Sequence, residues 1–153
     1  MSGINKVSSG HDRVYEATVA IEGGLLVVPA AGATNPGVQG IALAGATALN
    51  VLGVTAVRAE PVASQGLTGT DSDGYPITYP NPVSELVTVY KQCEAIVTYT
   101  AVAVNFGDKL KAAANGQVAA WVSGTDSAAA IIGECRQVGG VSSAGGKALA
   151  YIY

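Results

Sequence analysis

Residues 23–57 form a run of 35 positions without a charged side chain, bounded by Glu22 and Arg58. Such a run must be covered on all sides, by lipid or by protein. Pro29, Asn35, Pro36, Asn50 and several glycines interrupt it. Its longest continuous window, residues 39–57, is built mainly of Ala, Gly and Val rather than Leu and Ile. A transmembrane helix needs about 20 predominantly apolar residues. The run is therefore read as strands buried on both faces, and no membrane partner is expected.

Elsewhere the pattern has period two. In residues 14–21, Tyr15, Ala17, Val19 and Ile21 fall on one face and Glu16 and Thr18 on the other, the alternation of a half-buried strand. Gly23-Gly24 marks a turn and residues 25–29 a second strand. Residues 39–43 and 49–58 follow, the latter apolar on both faces. Residues 85–100 carry a long alternation, with Val87, Val89, Cys93, Ala95, Val97 and Tyr99 on one face. Gly107-Asp108 turns the chain, and Leu110 and Ala112 point inward while Lys109 and Lys111 point outward. Asn115-Gly116 is a hairpin signal, because a type I′ turn needs positive φ at both central residues. Residues 117–122, 129–138 and 147–153 complete the set, with a helical turn over 128–132 capped by Asp126 as the alternative reading of that stretch. The expected fold is all-β: a compact antiparallel β-barrel or β-sandwich over residues 14–153, behind an extended arm at 1–13.

Residues 63–83 break the alternation. They are dense in Gly, Pro, Asp, Ser and Thr, and so read as a long surface excursion. Tyr75, Pro76, Tyr79 and Pro80 give it rigid amphipathic surface of the kind enriched at contacts. On either side of it the chain repeats itself. Glu16-Ala17-Thr18-Val19 resembles Glu94-Ala95-Ile96-Val97, 78 residues on (94 − 16). Gly24-Leu25 resembles Gly107 followed, after an inserted pair, by Leu110. Leu52-Gly53-Val54 resembles Ile132-Gly133-Glu134, 80 residues on (133 − 53). Two similar β-units are expected.

Composition narrows the function classes. Charged residues make up 12% against a usual ~25%, which implies apolar surface covered by a partner. The formal net charge is −3. Lys6 and Arg13 are isolated and Lys109 and Lys111 only a pair, so the basic stripe of a nucleic-acid binder is missing. Cys93 and Cys135 read as small buried hydrophobes rather than a disulfide framework. The opening residues are polar, without the apolar segment of a secretory leader, and folding in a cytoplasm is expected.

Chemistry-bearing patterns are sparse. His11, the single histidine, stands beside Asp12 in the arm, without a Gly-x-Ser-x-Gly nucleophile motif and without rigid positioning. Asp71-Ser72-Asp73-Gly74 resembles part of a calcium loop, but the twelfth position is Pro82 where a bidentate Glu is required. Residues 140–147 imitate a phosphate loop, but the first Gly is displaced and Ala148 replaces the metal-binding hydroxyl, so a glycine-rich hairpin loop is expected. No catalytic, cofactor or metal site is expected, and the chain is read as non-enzymatic.

Residues 104–126, then Ile131-Ile-Gly-Glu-Cys135 and Ala148-Leu-Ala-Tyr-Ile152, with Gly24-Leu-Leu-Val-Val-Pro29 and Val51-Leu-Gly-Val54 in the first half, resemble bacteriophage capsid decoration (cement) proteins. The resemblance covers residues 14–62 and 84–153. It implies a small β-barrel or sandwich, often trimeric, on the exterior of the virion, with the major capsid protein and further copies of itself as partners and no catalytic residues to carry over. Under that reading the contacts fall to the arm, through Ile4, Asn5, Lys6, Val7, His11 and Arg13, and to the excursion, through Tyr75, Pro76, Tyr79 and Pro80. The alternatives are another virion part, such as a tail or head-fibre component, and a carbohydrate-binding β-module using Trp121 and the tyrosines.

Overall fold

The structure is a computed structural model that describes residues 13–61, 64, 72–75 and 83–153. It is all-β. Ten strands follow in chain order: β1 (Arg13–Ala17), β2 (Leu26–Ala30), β3 (Gly40–Leu43), β4 (Gly53–Thr55), β5 (Leu86–Tyr90), β6 (Cys93–Tyr99), β7 (Lys109–Ala112), β8 (Val118–Ala120), β9 (Gly133–Cys135) and β10 (Gly146–Ile152). They close two barrels of five strands each. Barrel 1 runs β1-β3-β2-β4-β5 and barrel 2 runs β6-β8-β7-β9-β10 around the ring. In both, the first and third strands pair in parallel and every other neighbour is antiparallel. Side-chain alternation is the same in both ladder types, so the parallel closures could not be read from it.

The repeat is therefore a duplicated topology, and the structure sets its register. Gly24 and Gly107 hold φ of 84° and 86°. Their N–H groups donate to the carbonyls of Thr55 and Cys135 at 2.7 and 2.8 Å. Val27 pairs with Gly53 as Leu110 pairs with Gly133, so no insertion separates Gly107 from Leu110 in the match. Thr18 N–H donates to Ile41 O as Thr100 N–H donates to Val118 O, at 3.0 and 2.9 Å. Glu16 is thus equivalent to Thr98, 82 residues on (98 − 16), and not to Glu94. Alternating strands match at any even displacement, so the sequence alone could not choose between 78 and 82.

Each barrel has its own core. Barrel 1 encloses Ala17, Ile21, Val27, Ile41, Ala59, Val87 and Val89. Barrel 2 encloses Val97, Tyr99, Leu110, Ala112, Val118, Cys135 and Ile152 among others. Tyr99 donates its hydroxyl to Leu149 O at 3.2 Å, and burial, with a lesser contribution from Cys135, pushes its pKa upward. Cys93 and Cys135 are buried and are not joined in a disulfide.

The second cluster also takes in Leu26, Ala44 and Val54 of barrel 1, with Val28 packed against it. This explains the uncharged run. Val27 and Ile41 face inward to barrel 1, while Leu26 and Val54 face outward into barrel 2, so β2 is apolar on both sides and β4 is buried on both. The seam between β6 and β8 has one residue pair, Tyr99 with Val118. Barrel 1 completes it: Thr98 N–H donates to Gly24 O at 3.0 Å and Gly116 N–H to Ala44 O at 2.8 Å. A Cβ at Gly24 would lie 2.7 Å from Ile96 O, and one at Gly116 would lie 2.7 Å from Leu26 O. Both glycines are required by the close approach as well as by their positive φ.

Several elements are shorter than the alternation implied. Residues 49–58 contribute only the three residues of β4. The stretch 85–100 is two strands divided at Gln92, whose φ of 52° lets the chain cross between barrels. Asn115 and Gly116 hold φ of 57° and 72°, which is the type I′ hairpin. A 3-10 turn covers Ala128–Ala130; its cap is Ser127, whose hydroxyl accepts from Ala129 N–H, and Asp126 is engaged elsewhere. No helix among the described residues is long and apolar enough to cross a membrane.

Candidate interaction surfaces

Of the contact residues expected from sequence, the structure places two. Arg13 heads β1, exposed, opposite Val89 on β5. Tyr75 is 69% exposed, beside Gly74 with φ of 84°. Ile4, Asn5, Lys6, Val7, His11, Pro76, Tyr79 and Pro80 lie outside the described residues. The β1–β5 ladder runs from Arg13 opposite Val89 to Glu16 opposite Leu86. The arm therefore joins barrel 1 at one end of this ladder, and the chain returning from the excursion joins it at the other.

Glu16 leaves the outer face of β1 but is only 3% exposed. The β2–β3 connection folds over it. Thr34 donates N–H and hydroxyl at 2.7 and 2.9 Å, and Asn35 donates N–H and Nδ2 at 2.7 and 2.9 Å. Four donors favour the charged carboxylate, and the two backbone N–H groups do most to hold its pKa down at about 2. Asn35 Nδ2 also reaches Glu85 Oε1 at 2.9 Å, tying the connection to the approach to β5.

On barrel 2 the outer faces of β7 and β9 are charged. Lys109 Nζ lies 2.9 Å from Glu134 Oε2 and donates to the Tyr153 hydroxyl at 2.5 Å. Arg136 also pairs with Glu134. The Tyr153 and Glu134 contacts raise the Lys109 pKa, and the Lys109 hydrogen bond is the largest influence lowering that of Glu134. Lys111 reaches both oxygens of Asp126 at 2.6 and 2.7 Å, and Asp126 also accepts Val122 N–H at 2.7 Å. These two contacts lower the Asp126 pKa. Trp121 is half-buried and donates Nε1–H to Ser127 O at 2.9 Å. Glu16, Asp126 and Glu134 are thus all held in the charged form at neutral pH, the opposite of what a general acid requires. No group of three His, Cys, Asp or Glu among the described residues could hold a metal ion.

Two apolar features remain. Val102, Phe106 and Val138 are exposed on the β6–β7 and β9–β10 connections. The reciprocal bridge between Val104 and Val141, at 3.0 and 2.7 Å, joins those connections. The second is a pocket of about 110 Å³ at the junction of the barrels. Leu49, Val51 and Gly53 wall it from barrel 1, Ala129, Ile131, Ile132, Ile152 and Tyr153 from barrel 2, and Lys91 from the crossing between them. The walls are equivalent segments: Leu49 corresponds to Ala129 and Val51 to Ile131 at the 80-residue offset (133 − 53) of Gly53 and Gly133. Sequence reading missed this site, because no local motif marks residues that meet only through barrel packing.

No family profile and no curated protein matches the chain. Among solved structures, the two-barrel fold is similar to the N base of the head fibre protein gp8.5 of bacteriophage phi29, with a TM-score of 0.58 and 13% sequence identity. The likeness covers 93% of this chain and 92% of that one. It therefore embraces both barrels.

Proposed function

We propose that this protein is a structural component of a phage virion, without a catalytic role, seated on the exterior of the head. The observation that supports this reading is the end-to-end likeness of the two-barrel fold to the base of a head fibre protein. The few charges and the exposed apolar side chains on barrel 2 suit a protein made to be covered. Within this reading, the protein binds the major capsid protein, assembles as a homotrimer, and bridges neighbouring capsid subunits. Each contact is modest, and stability comes from repetition over the shell. The base of a head fibre is the second reading, favoured by the same neighbour.

The test is to mix the purified protein with undecorated capsids and image the particles by electron microscopy. Density at every equivalent capsomer position supports bridging decoration. Density at sparse sites supports a fibre base. Unbound protein at saturating concentration removes both. Deleting residues 2–12 and measuring capsid occupancy then tests the arm, whose contribution is refuted by unchanged occupancy. A glycan array, with Trp121→Ala as the control, tests the carbohydrate-binding alternative.

A further inference from the structure

Asn115-Gly116 is the one Asn-Gly pair in the chain, and the docking of the barrels explains why both residues stand there. Asn115 holds φ of 57° and ψ of 33°, a left-handed conformation that Asn tolerates better than most residues. Gly116 is buried against barrel 1. A Cβ on it would lie 2.7 Å from Leu26 O, 3.1 Å from Leu25 Cβ and 3.2 Å from Leu43 Cδ2, so any side chain there would push against barrel 1. The union of the barrels therefore selects a chemically labile dipeptide, because a residue without a side chain leaves its backbone nitrogen unshielded beside an asparagine amide.

The same contact holds that chemistry in check. Deamidation begins when the Gly116 nitrogen, having given up its proton, attacks Cγ of Asn115. Here the Gly116 N–H donates to Ala44 O of barrel 1 at 2.8 Å, which engages that proton inside the junction. Closing the five-membered ring also needs the Cα–Cβ bond of Asn115 to eclipse the C–N bond that follows it, and ψ of 33° keeps the two far apart. The flanking bonds fix that angle: Ala113 N–H donates to Gln117 O at 2.8 Å, and Thr47 N–H of barrel 1 to Ala112 O at 3.0 Å. Asn115 itself is exposed. Water reaches its amide, so what blocks the reaction is backbone geometry and not burial of the side chain.

We propose that Asn115 is a latent modification site, held unreactive by barrel 1 and released to deamidate whenever the barrels part at Gly116. In the opened state the Gly116 nitrogen bonds to Asn115 Cγ and its proton leaves to solvent. The Cγ–Nδ2 bond breaks and ammonia departs, leaving a succinimide. Water then adds to one of the two ring carbonyls and gives aspartate or isoaspartate. Isoaspartate routes the main chain through one further methylene group, so the turn no longer sets the Gly116 N–H opposite Ala44 O. The modification is therefore one-way: an opening that would otherwise reclose leaves the β6–β8 seam without its Ala44 bond. Its rate is the intrinsic rate multiplied by the population of the open state. The site does not depend on the virion reading.

The experiment is to incubate the full chain in mildly alkaline buffer at physiological temperature, beside a sample unfolded in urea, and to follow Asn115 by peptide mapping with mass spectrometry. The native chain should convert about tenfold more slowly than the unfolded one, or slower still, because only its open fraction reacts. Leu26→Ala removes the side chain with which barrel 1 plugs barrel 2 and leaves the turn's own residues intact. It should raise the rate about tenfold or more. Should that variant not fold, urea below the unfolding midpoint of the native chain should accelerate conversion in step with hydrogen exchange at the Gly116 amide. The proposal is overturned if native and unfolded chains convert alike, if Leu26→Ala folds and converts no faster than the native chain, or if conversion in urea does not follow the Gly116 exchange.

Discussion

Barrel 1 and barrel 2 pass five strands through the same ladders, yet their equivalent outer faces meet different neighbours. On barrel 1, Leu26, Val28, Ala44 and Val54 are pressed against barrel 2. The positions matching them on barrel 2 are Lys109, Lys111, Trp121 and Glu134, where ion pairs and a bonded indole replace the apolar plug. The seams differ in the same sense. Barrel 2 has a tight Asn115-Gly116 turn, and its β6–β8 seam is completed by Gly24 and Ala44 of barrel 1. Barrel 1 has a longer β2–β3 connection that covers its own seam: Glu16 N–H donates to Gln39 O at 3.1 Å, and the Glu16 carboxylate is clamped by Thr34 and Asn35. A duplicated unit of this kind could stack indefinitely through one head-to-tail contact. Here a loop covers the seam of barrel 1 and the matching face of barrel 2 is charged, so the contact between the two barrels is not repeated by equivalent side chains on barrel 2.

That contrast can be broken at points of decreasing consequence. The largest effect is expected at the matched glycines. A Cβ at Gly53 would lie 2.2 Å from Tyr90 O, and one at Gly133 would lie 2.2 Å from Tyr151 O. Gly53→Ala and Gly133→Ala should each cost about 4 kcal/mol in chemical denaturation. A large cost at only one of them would break the equivalence of the barrels. Next, Leu26→Ala should cost about 3 kcal/mol, the usual range for a buried leucine. Because Leu26 plugs the partner barrel, hydrogen exchange should rise in β6 and β8 as well as in β2. Exchange confined to barrel 1 would show that barrel 2 closes by itself.

Glu16→Gln sharpens the difference in seams. The folded-state pKa of Glu16 is lowered from 4.5 to about 2. The stabilisation is therefore fully present above pH 4.5 and is lost as pH falls through about 2. The native chain should exceed the variant in stability by a constant margin above pH 4.5, with the margin shrinking toward pH 2. A margin independent of pH would remove the carboxylate clamp as its cause. The smallest effects belong to the charged face of barrel 2. Asp126→Ala should lower the denaturation midpoint modestly, since it frees Lys111 and Val122 N–H together. Lys109→Ala, at an exposed pair, should lower the midpoint less than Asp126→Ala does, and less still in high salt.

Much of the architecture was legible in the chain. Val87, Val89, Cys93, Ala95, Val97 and Tyr99 are buried as their alternation requires, and Leu110 and Ala112 face inward between Lys109 and Lys111. Asn115-Gly116 forms its hairpin because those two residues tolerate positive φ where others are strained. The uncharged run was recognisable as strands covered on both faces. What covers them was not, because burial leaves the same apolar signature whatever lies opposite. Nor could alternation report the parallel closures or the four-residue correction in the repeat. The junction pocket was beyond reach for a related reason: Leu49, Lys91, Ile131 and Tyr153 are distant in sequence and unremarkable singly.

Side-chain period and turn chemistry are local properties, written within a few residues of each other, and they determined that this chain would be β-stranded, duplicated and hairpin-linked. Which face of each strand meets which barrel is settled only when both barrels close, since a contact between residues tens of positions apart depends on the geometry of everything between them.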